Sequence, residues 1–180
     1  MLVIAISDLV SKYFVFQRYY PRDPANWDHE PTWLIDGLLG IQTSTNPGAL
    51  FGLGSGYSWL FAILSIIVLC GLILWLFFLG GARDRWLTIA FGLVAGGILG
   101  NLYDRLGLGY VESRPQEIRY HVRDFIHFRL EGVPFFDPWP NFNIADSGLV
   151  IGAIMLFCMP IVLRTDGKHL VLPVRHSKMV

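Results

Sequence analysis

Apolar residues are concentrated in four long runs that are separated by polar loops. The clearest run, residues 57–79, has 23 residues without a charge and would form about 35 Å of helix, enough to cross a bilayer. Three further runs, about residues 1–18, 86–103 and 145–163, are long enough to span or nearly span it. The pattern therefore predicts an all-α membrane protein, a four-transmembrane-helix bundle that forms a single domain over residues 1–180.

Small and charged residues interrupt two of these runs at helical spacing. Gly92, Gly96 and Gly100 lie four residues apart and would form one glycine face on the third helix, where another helix can approach closely. Asp8 and Lys12 are also four residues apart, so on a helix they share a face and can form an ion pair. We expect the third helix at the centre of the bundle and a structural Asp8–Lys12 pair in the first.

The two long connections lie on the same side of the membrane in a chain that crosses it four times. In the first connection, Leu39 to Thr45 alternates in the way typical of a short strand, and the turn Asn46-Pro47-Gly48 follows it. Such a strand can bind an extended peptide along its edge, and a simple connector is an equally good interpretation. We expect a small β-containing loop region at one end of the bundle.

Composition narrows the class of protein. Hydrophobic residues make up 53% of the chain and charged residues 16%, which is too apolar for an ordinary soluble domain. The net charge is zero, with 14 basic and 14 acidic residues, so no basic surface indicates a nucleic-acid partner. Cys70 and Cys158 lie within apolar runs and predict neither a disulfide nor a metal site. His121 and His127 are poorly spaced for shared ligation, and we expect no metal or other cofactor.

Candidate catalytic groups stand at the mouths of the third and fourth apolar runs. Ionisable groups at the edge of a membrane span are costly and mark functional sites by default. Two neighbouring carboxylates can share a proton near neutral pH and activate a water held between them. The residues alone leave three aspartates open as members of such a pair. The groups concerned are Asp104, Asp124, Asp146, Asn101, Asn143 and Arg105.

Five motifs follow one another over nearly the whole chain. They are Asp8-Leu-Val-Ser-Lys12, Asn46-Pro-Gly-Ala-Leu-Phe51, Gly96-Gly-Ile-Leu-Gly-Asn-Leu-Tyr-Asp-Arg105, Val122-Arg-Asp-Phe125 and Phe142-Asn-Ile-Ala-Asp146. In this order they resemble the lipoprotein signal peptidase family, the bacterial type II signal peptidases, which are four-helix membrane aspartic proteases. Any one of these motifs alone is a weak signal, and the set in this order is a strong one.

The resemblance implies how the site is built. It implies that Asp124 and Asp146 are the catalytic dyad, and that Asp104 is structural and fixes the end of the third helix. Substrate-binding or supporting roles are implied for the remaining polar residues of the motifs. These residues are Asn46, Gly48, Asn101, Asp104, Arg105, Asn143, Asp8 and Lys12.

The resemblance also implies the substrate and the location. The implied substrate is a prolipoprotein whose cysteine already carries diacylglycerol, and the implied cut falls just before that cysteine. The enzyme would be a monomer among the lipids of the bacterial cytoplasmic (inner) membrane, with both termini in the cytoplasm and the active site near the outer face. The positively charged residues give no orientation by themselves, because both sides of the predicted bundle carry them.

The chain departs from the family in its loops, with added residues around 113–121 and 21–31. Insertions in loops cost little, so we expect them to affect substrate access more than the chemistry.

Three alternative classes of protein make different predictions about the sequence. A small transporter or assembly subunit predicts acidic residues near mid-span, whereas Asp124 and Asp146 lie at an edge. An inactive relative would lack one of the dyad aspartates, and a presenilin-type protease would contain a Gly-x-Gly-Asp motif. The sequence retains both aspartates and lacks that motif.

Overall fold

The chain alternates helices with short strands. The computed structural model describes residues 1–20, 30–48, 54–80, 82, 84–112 and 114–165, with the side chains of residues 160–165 excepted. The elements are α1 (Leu2–Tyr19), β1 (Thr32–Ile35), β2 (Leu39–Asn46), α2 (Ser58–Ile73, continued by the π-helical turn Leu74–Phe78), α3 (Arg85–Arg105), the 3₁₀ turn Gln116–Ile118, β3 (Val122–Phe128), β4 (Trp139–Phe142) and α4 (Ile144–Thr165).

Helix α3 lies at the centre of the bundle and contacts α1, α2 and α4. Its face of small residues lies against α1: an ideal Cβ on Gly96 would be 2.6 Å from the carbonyl oxygen of Met1, and one on Gly100 would be 2.5 Å from Asp8 Oδ2. Both distances are too short for a real Cβ contact, so a larger side chain would displace α1. The predicted central position of this helix and its glycine face are confirmed.

Two of the four helices are long and apolar enough to cross a membrane. Ser58–Phe78 and Arg85–Arg105 each cover 21 residues, with mean hydropathies of 2.9 and 1.5. Only 6% of the apolar window in the first of these segments is buried within the protein, as expected of a surface that faces lipid. Helix α1 carries two charged side chains in its middle, and the shorter apolar segment of α4 covers Ile144–Met159. The four predicted helices are confirmed, two of them at membrane length.

Helix α1 directs its charges inward. Its buried residues are Ala5, Asp8, Lys12 and Phe16, which recur every three or four positions and therefore form one face. Apolar side chains such as Ile6 cover the outer surface of the helix. This arrangement is the reverse of a helix in a water-soluble protein, and it places an ammonium and a carboxylate against α3 and α4.

The strands form one antiparallel sheet in the order β1-β2-β3-β4. The predicted β region is therefore confirmed, but the all-α class was too narrow, because each long connection contributes two strands to the sheet. Strand β3 is fully or partly buried along its length and includes Arg123, Asp124 and His127. These polar residues make the strand hard to recognise in the sequence, because the residues that form hydrogen bonds and ion pairs with them lie on other elements.

Strand β2 lies inside the sheet rather than at an edge. Strand β1 pairs with Leu39, Gly40 and Ile41 on one side of β2, and β3 pairs with it on the other. The interpretation of this strand as an edge that binds a peptide is therefore wrong for Leu39–Ile41, where both sides are occupied, and stays a prediction for the rest of the strand. The outer strands are β1 and β4.

The added residues of the second connection pack against the end of α1. The guanidinium of Arg114 lies over the rings of Phe16 and Tyr20, at 5.4 and 4.5 Å from their centroids, and donates a hydrogen bond to the Phe16 carbonyl at 3.3 Å. This insertion is therefore fastened to the bundle. Residues 21–29 of the other added segment, and Ser113, lie outside the described residues.

Candidate active site

Asp124 is held in the sheet with its carboxyl group almost fully buried. Strand β3 places it opposite Ser44, and it is 3% exposed. The Asn143 side chain donates to its Oδ1 at 2.6 Å, and the Asn46 side chain also hydrogen-bonds to the carboxyl group. Burial, and after it the negative charge of Asp146, raises the pKa of Asp124 well above its usual range. Asp124 is therefore suited to hold a proton at neutral pH.

Asp146 is fixed by a reciprocal pair of hydrogen bonds at the start of α4. The Asn143 backbone N–H donates to Asp146 Oδ2 at 3.1 Å, and the Asp146 N–H donates to Asn143 Oδ1 at 2.9 Å. This is a capping box, in which the residue before the helix and the third helical residue satisfy each other's N–H groups. The carboxylate also lies at the positive end of the helix dipole. The capping box therefore fixes the position of the Asp146 carboxyl group.

Asn101 connects the second carboxylate to a buried ammonium. Its Nδ2 donates to Asp146 Oδ1 at 2.8 Å, while its Oδ1 accepts from Lys12 Nζ and from Asn143 Nδ2, each at 3.1 Å. Two donors on the oxygen side fix which way the amide points. Asp146 consequently receives N–H donors on both of its oxygens.

A buried charge network lies behind this amide. Lys12 Nζ is 2.6 Å from Asp8 Oδ2 and 3.0 Å from Asp104 Oδ2, and Arg123 Nη2 is 2.7 Å from Asp104 Oδ1. Two cations and two carboxylates balance, which is the condition for burying charges. Asp8 Oδ1 also accepts from the Ala145 N–H at 2.9 Å, so α1 helps to hold the first turn of α4. The predicted pairing of Asp8 with Lys12 is confirmed.

Arg105, the last residue of α3, holds the turn that follows β2. Its Nη2 donates to the Gly48 carbonyl at 3.0 Å, and its guanidinium lies over the ring of Phe61 at 5.4 Å from the centroid. Within the turn, the Gly48 N–H donates to Asn46 Oδ1 at 3.0 Å. This hydrogen bond leaves the amide nitrogen of Asn46 free to face Asp124.

The two aspartates border one cavity of about 640 Å³. One end of the cavity is polar and is formed by the carboxylates with their amide and guanidinium neighbours. The other end is formed by apolar side chains of β4 and of the second turn of α4. The lining residues are Asn46, Asn101, Arg105, Val122, Asp124, Trp139, Pro140, Asn141, Phe142, Asp146, Ser147, Leu149, Val150 and Ile151.

Comparison with known proteins identifies the family. The family described as signal peptidase (SPase) II, peptidase A8, matches residues 1–162. The chain belongs to the signal peptidase II family. Its family motifs therefore extend over all four helices and the whole sheet.

Individual relatives agree with this membership. The chain is similar to the lipoprotein signal peptidase of Rhodopirellula baltica, with 49% identity over 124 residues, which are 69% of this chain and 54% of that relative. It thus spans about half the length of that protein. The lipoprotein signal peptidase of Pseudomonas syringae pv. tomato is 38% identical over 160 residues, or 87% of this chain and 79% of the relative. A solved bacterial membrane enzyme is 30% identical with a TM-score of 0.69, covering 94% of this chain and 89% of that one.

In this signal peptidase II family member, the residues singled out from the sequence form two layers. Asp124, Asp146, Asn46, Asn101 and Arg105 line the cavity. The remaining members lie behind them: Asn143 binds both aspartates, and Gly48 takes part through its carbonyl and N–H groups. Asp8, Lys12 and Asp104 belong to the charge network, and none of the three is more than 2% exposed.

Sequence reasoning missed three polar residues of the sheet. Asn141 lines the cavity, and its Nδ2 donates to the Gln42 carbonyl at 3.1 Å and to Ser44 Oγ at 3.2 Å. Its Oδ1 lies 2.9 Å from Nδ1 of the buried His127. The other two missed residues are His127 and Arg123, and Arg123 pairs with Asp104. In the sequence, each of these residues is only a polar position within an extended run. Such a position does not show which residue of another strand or helix it contacts.

Proposed function

We propose that this chain is a membrane aspartic endopeptidase that removes the signal peptide from diacylglyceryl-modified prolipoproteins. The cut falls just before the lipidated cysteine, and Asp124 and Asp146 activate the attacking water. One observation carries the proposal: both carboxylates line the same cavity, and Asn143 hydrogen-bonds to each of them. The family of the chain and the names of its relatives supply the substrate class.

The two carboxylates take different roles because their surroundings differ. Two negative charges about 4 Å apart repel by about 4 kcal/mol at an effective dielectric of 20, which equals roughly three pKa units. One member therefore keeps a proton. The raised pKa of Asp124 makes it the member that holds the proton. Asp146, whose two oxygens each accept an N–H, is then the base.

The reaction then proceeds by two proton exchanges. Asp146 takes a proton from water as the water oxygen attacks the scissile carbonyl carbon, and Asp124 gives its proton to the carbonyl oxygen. In the resulting tetrahedral intermediate, Asp146 returns its proton to the amide nitrogen and Asp124 takes a proton from one hydroxyl. The C–N bond breaks, giving a carboxylic acid and an amine, and both aspartates regain their starting states.

The shape of the cavity suits a substrate that stays attached to lipid. Val150 is four residues after Asp146, so the apolar wall extends about 6 Å along α4 from the carboxylate. Val150 and Ile151 are 58% and 52% exposed on the outside of the bundle, where lipid would lie. A diacylglyceryl group can therefore remain in hydrocarbon while the peptide reaches the polar end.

The proposed orientation in the membrane is the one that the family resemblance implies. Both long connections and the sheet lie at the end of the bundle where α3 ends and α4 begins. In the proposed orientation this end is near the outer face of the bacterial cytoplasmic membrane, and both termini are cytoplasmic. The proposed unit is a monomer, because the glycine face of α3 is already occupied by α1.

The test is cleavage of a diacylglyceryl-modified precursor by the purified chain in detergent. Asp124→Asn and Asp146→Asn should each lower kcat by at least about 100-fold while the thermal denaturation profile stays cooperative. Asp36→Asn is the matched control, because Asp36 is exposed in the turn between β1 and β2 and should cut normally. A folded, unaltered chain that cuts nothing contradicts the proposal, and full activity in either dyad variant contradicts the assignment of the dyad.

A further inference from the structure

The loop between β3 and β4 exposes large apolar side chains. Leu130, Val133, Phe135 and Phe136 are 39%, 41%, 65% and 37% exposed. These residues, together with Trp139 at the start of β4, are called the hairpin tip below. Contiguous exposed apolar surface of this kind marks a binding surface for a protein, a ligand or a membrane.

The hairpin tip is a built structure. The rings of Phe135 and Phe136 each lie 5.1 Å from the ring of Trp139, in edge and stacked geometry respectively. At the base of the loop, Arg129 Nε donates to Asp137 Oδ1 at 2.6 Å, and the Leu130 N–H donates to the Phe136 carbonyl at 2.7 Å. The rings are thus held in place before any partner binds.

The backbone at Phe135 also points to a role for its ring. Phe135 has a φ of 77°, in the left-handed region that disfavours a bulky L-residue. Glycine would adopt this conformation without strain. The chain instead has a phenylalanine that is 65% exposed. This position therefore presents an aromatic side chain on the outside of the protein.

The position of the hairpin tip identifies its partner. Trp139 stacks on Phe136 and lines the cavity that holds the two aspartates, and Val150 and Ile151 of α4 line the same cavity. These two α4 residues are exposed on the surface that faces lipid in this membrane enzyme. The hairpin tip is therefore continuous, through the cavity wall, with a lipid-facing surface.

We propose that the hairpin tip inserts into the bilayer interface beside the cavity mouth, with phospholipid as its partner. Tryptophan is enriched at the headgroup level of a bilayer, and the apolar faces of membrane-surface helices, rich in Trp, Phe and Leu, bury about 5–10 Å into the boundary between headgroups and acyl chains. The tip and α4 would then flank the opening, so that a lipidated substrate reaches the dyad without crossing water. This role of the tip rests on the proposed function, whereas its depth in lipid can be measured without any cleavage.

The first measurement is the depth of a nitroxide label on Phe135→Cys, made in a Cys70→Ser, Cys158→Ser background. The chain is reconstituted in vesicles of phosphatidylethanolamine and phosphatidylglycerol, and the accessibility of the label to oxygen and to a water-soluble nickel complex is compared. Residue 135 should be oxygen-accessible and protected from nickel. A label on Asp36→Cys is the aqueous reference. Nickel accessibility at residue 135 equal to that at residue 36 overturns the proposal.

The second measurement is the kinetics of Phe135→Ser in the same vesicles. KM for the lipidated precursor should rise several-fold with kcat unchanged, because the dyad is intact and only access is impaired. Leu34→Ser is the matched control, since Leu34 is 64% exposed on β1, away from the cavity, and should leave both constants unchanged. An unchanged KM in Phe135→Ser overturns the role in substrate access. A chain whose label is in lipid but which cuts no precursor refutes the proposed function instead.

Discussion

Two pairs of aspartates, connected through the Asn101 side chain, lie in different electrostatic surroundings. Asp8 and Asp104 each contact a cation, and with Lys12 and Arg123 they form a neutral, buried network. Asp124 and Asp146 share a cavity wall and receive their hydrogen bonds mainly from neutral amides. In the proposed mechanism, the aspartates whose charge is balanced by cations are structural, and the two that neighbour each other are the reactive ones.

Removing the ammonium should have the largest effect on stability. Lys12→Met leaves Asp8 and part of Asp104 uncompensated in a buried site, and breaking a buried pair in this way costs about 3–5 kcal/mol. Thermal denaturation in a fixed detergent measures the loss. Arg85→Met, at an exposed position at the start of α3, is the control and should change little.

A second substitution sharpens this prediction. Adding Asp8→Asn to Lys12→Met removes one of the stranded charges and should recover part of the stability. If the double variant is no more stable than Lys12→Met, the loss comes from packing and the contrast between the two groups of aspartates is weaker than stated.

Packing around the network gives the next largest effect. Gly100→Ala places a methyl group against Asp8 Oδ2 and 2.9 Å from the Ala145 Cβ, and overpacking of this kind costs about 1–3 kcal/mol. Gly71→Ala is the matched control, because nothing lies within 4 Å of its ideal Cβ. Equal melting temperatures for the two variants would show that α1 yields easily, and that the network is not tightly enclosed.

The dyad should affect stability in a way that depends on pH. The pKa of Asp124 is raised above the ordinary value of 3.8, so over that window the folded state binds more protons than the unfolded state. The free energy of unfolding therefore falls as pH rises from 3.8 through the raised pKa. Asp124→Asn should match the unaltered chain in acid and be more stable at neutral pH.

Melting temperatures over a pH series measure this difference, with Asp36→Asn as the control. Parallel curves for Asp124→Asn and the unaltered chain would mean that folding does not raise the pKa of Asp124. The surroundings of Asp124 would then not differ from those of Asp8 and Asp104 in the way stated above.

Local spacing explains what the sequence could predict. The Asp8–Lys12 pair follows from an i,i+4 relation, and the four helices follow from apolar runs; both are properties of neighbouring residues. The third contact of the ammonium, to Asn101, joins positions 89 residues apart, and no spacing rule reaches that far. For the same reason the residues alone left Asp104 as a rival dyad member, since its cationic partners become visible only in the fold.

The sheet was underestimated for a related physical reason. Strand β3 alternates poorly because its polar residues are buried and satisfied across the sheet, so the usual hydrophobic pattern is absent. Strand β4 has only four residues, one of them proline, which gives too short a signal to read. The polar contacts of Asn141 depend on both strands and could not be anticipated without them.

The reciprocal hydrogen bonds between Asn143 and Asp146 have a consequence for inhibition. A compound that binds the Asp146 carboxylate engages a group that also begins a helix. A replacement at this position that weakened the compound would remove the acceptor of the Asn143 N–H together with the proposed proton carrier. If Asp146 is the proposed base, resistance through residue 146 would remove the activity together with the inhibitor contact, which makes this carboxylate a suitable anchor for an inhibitor.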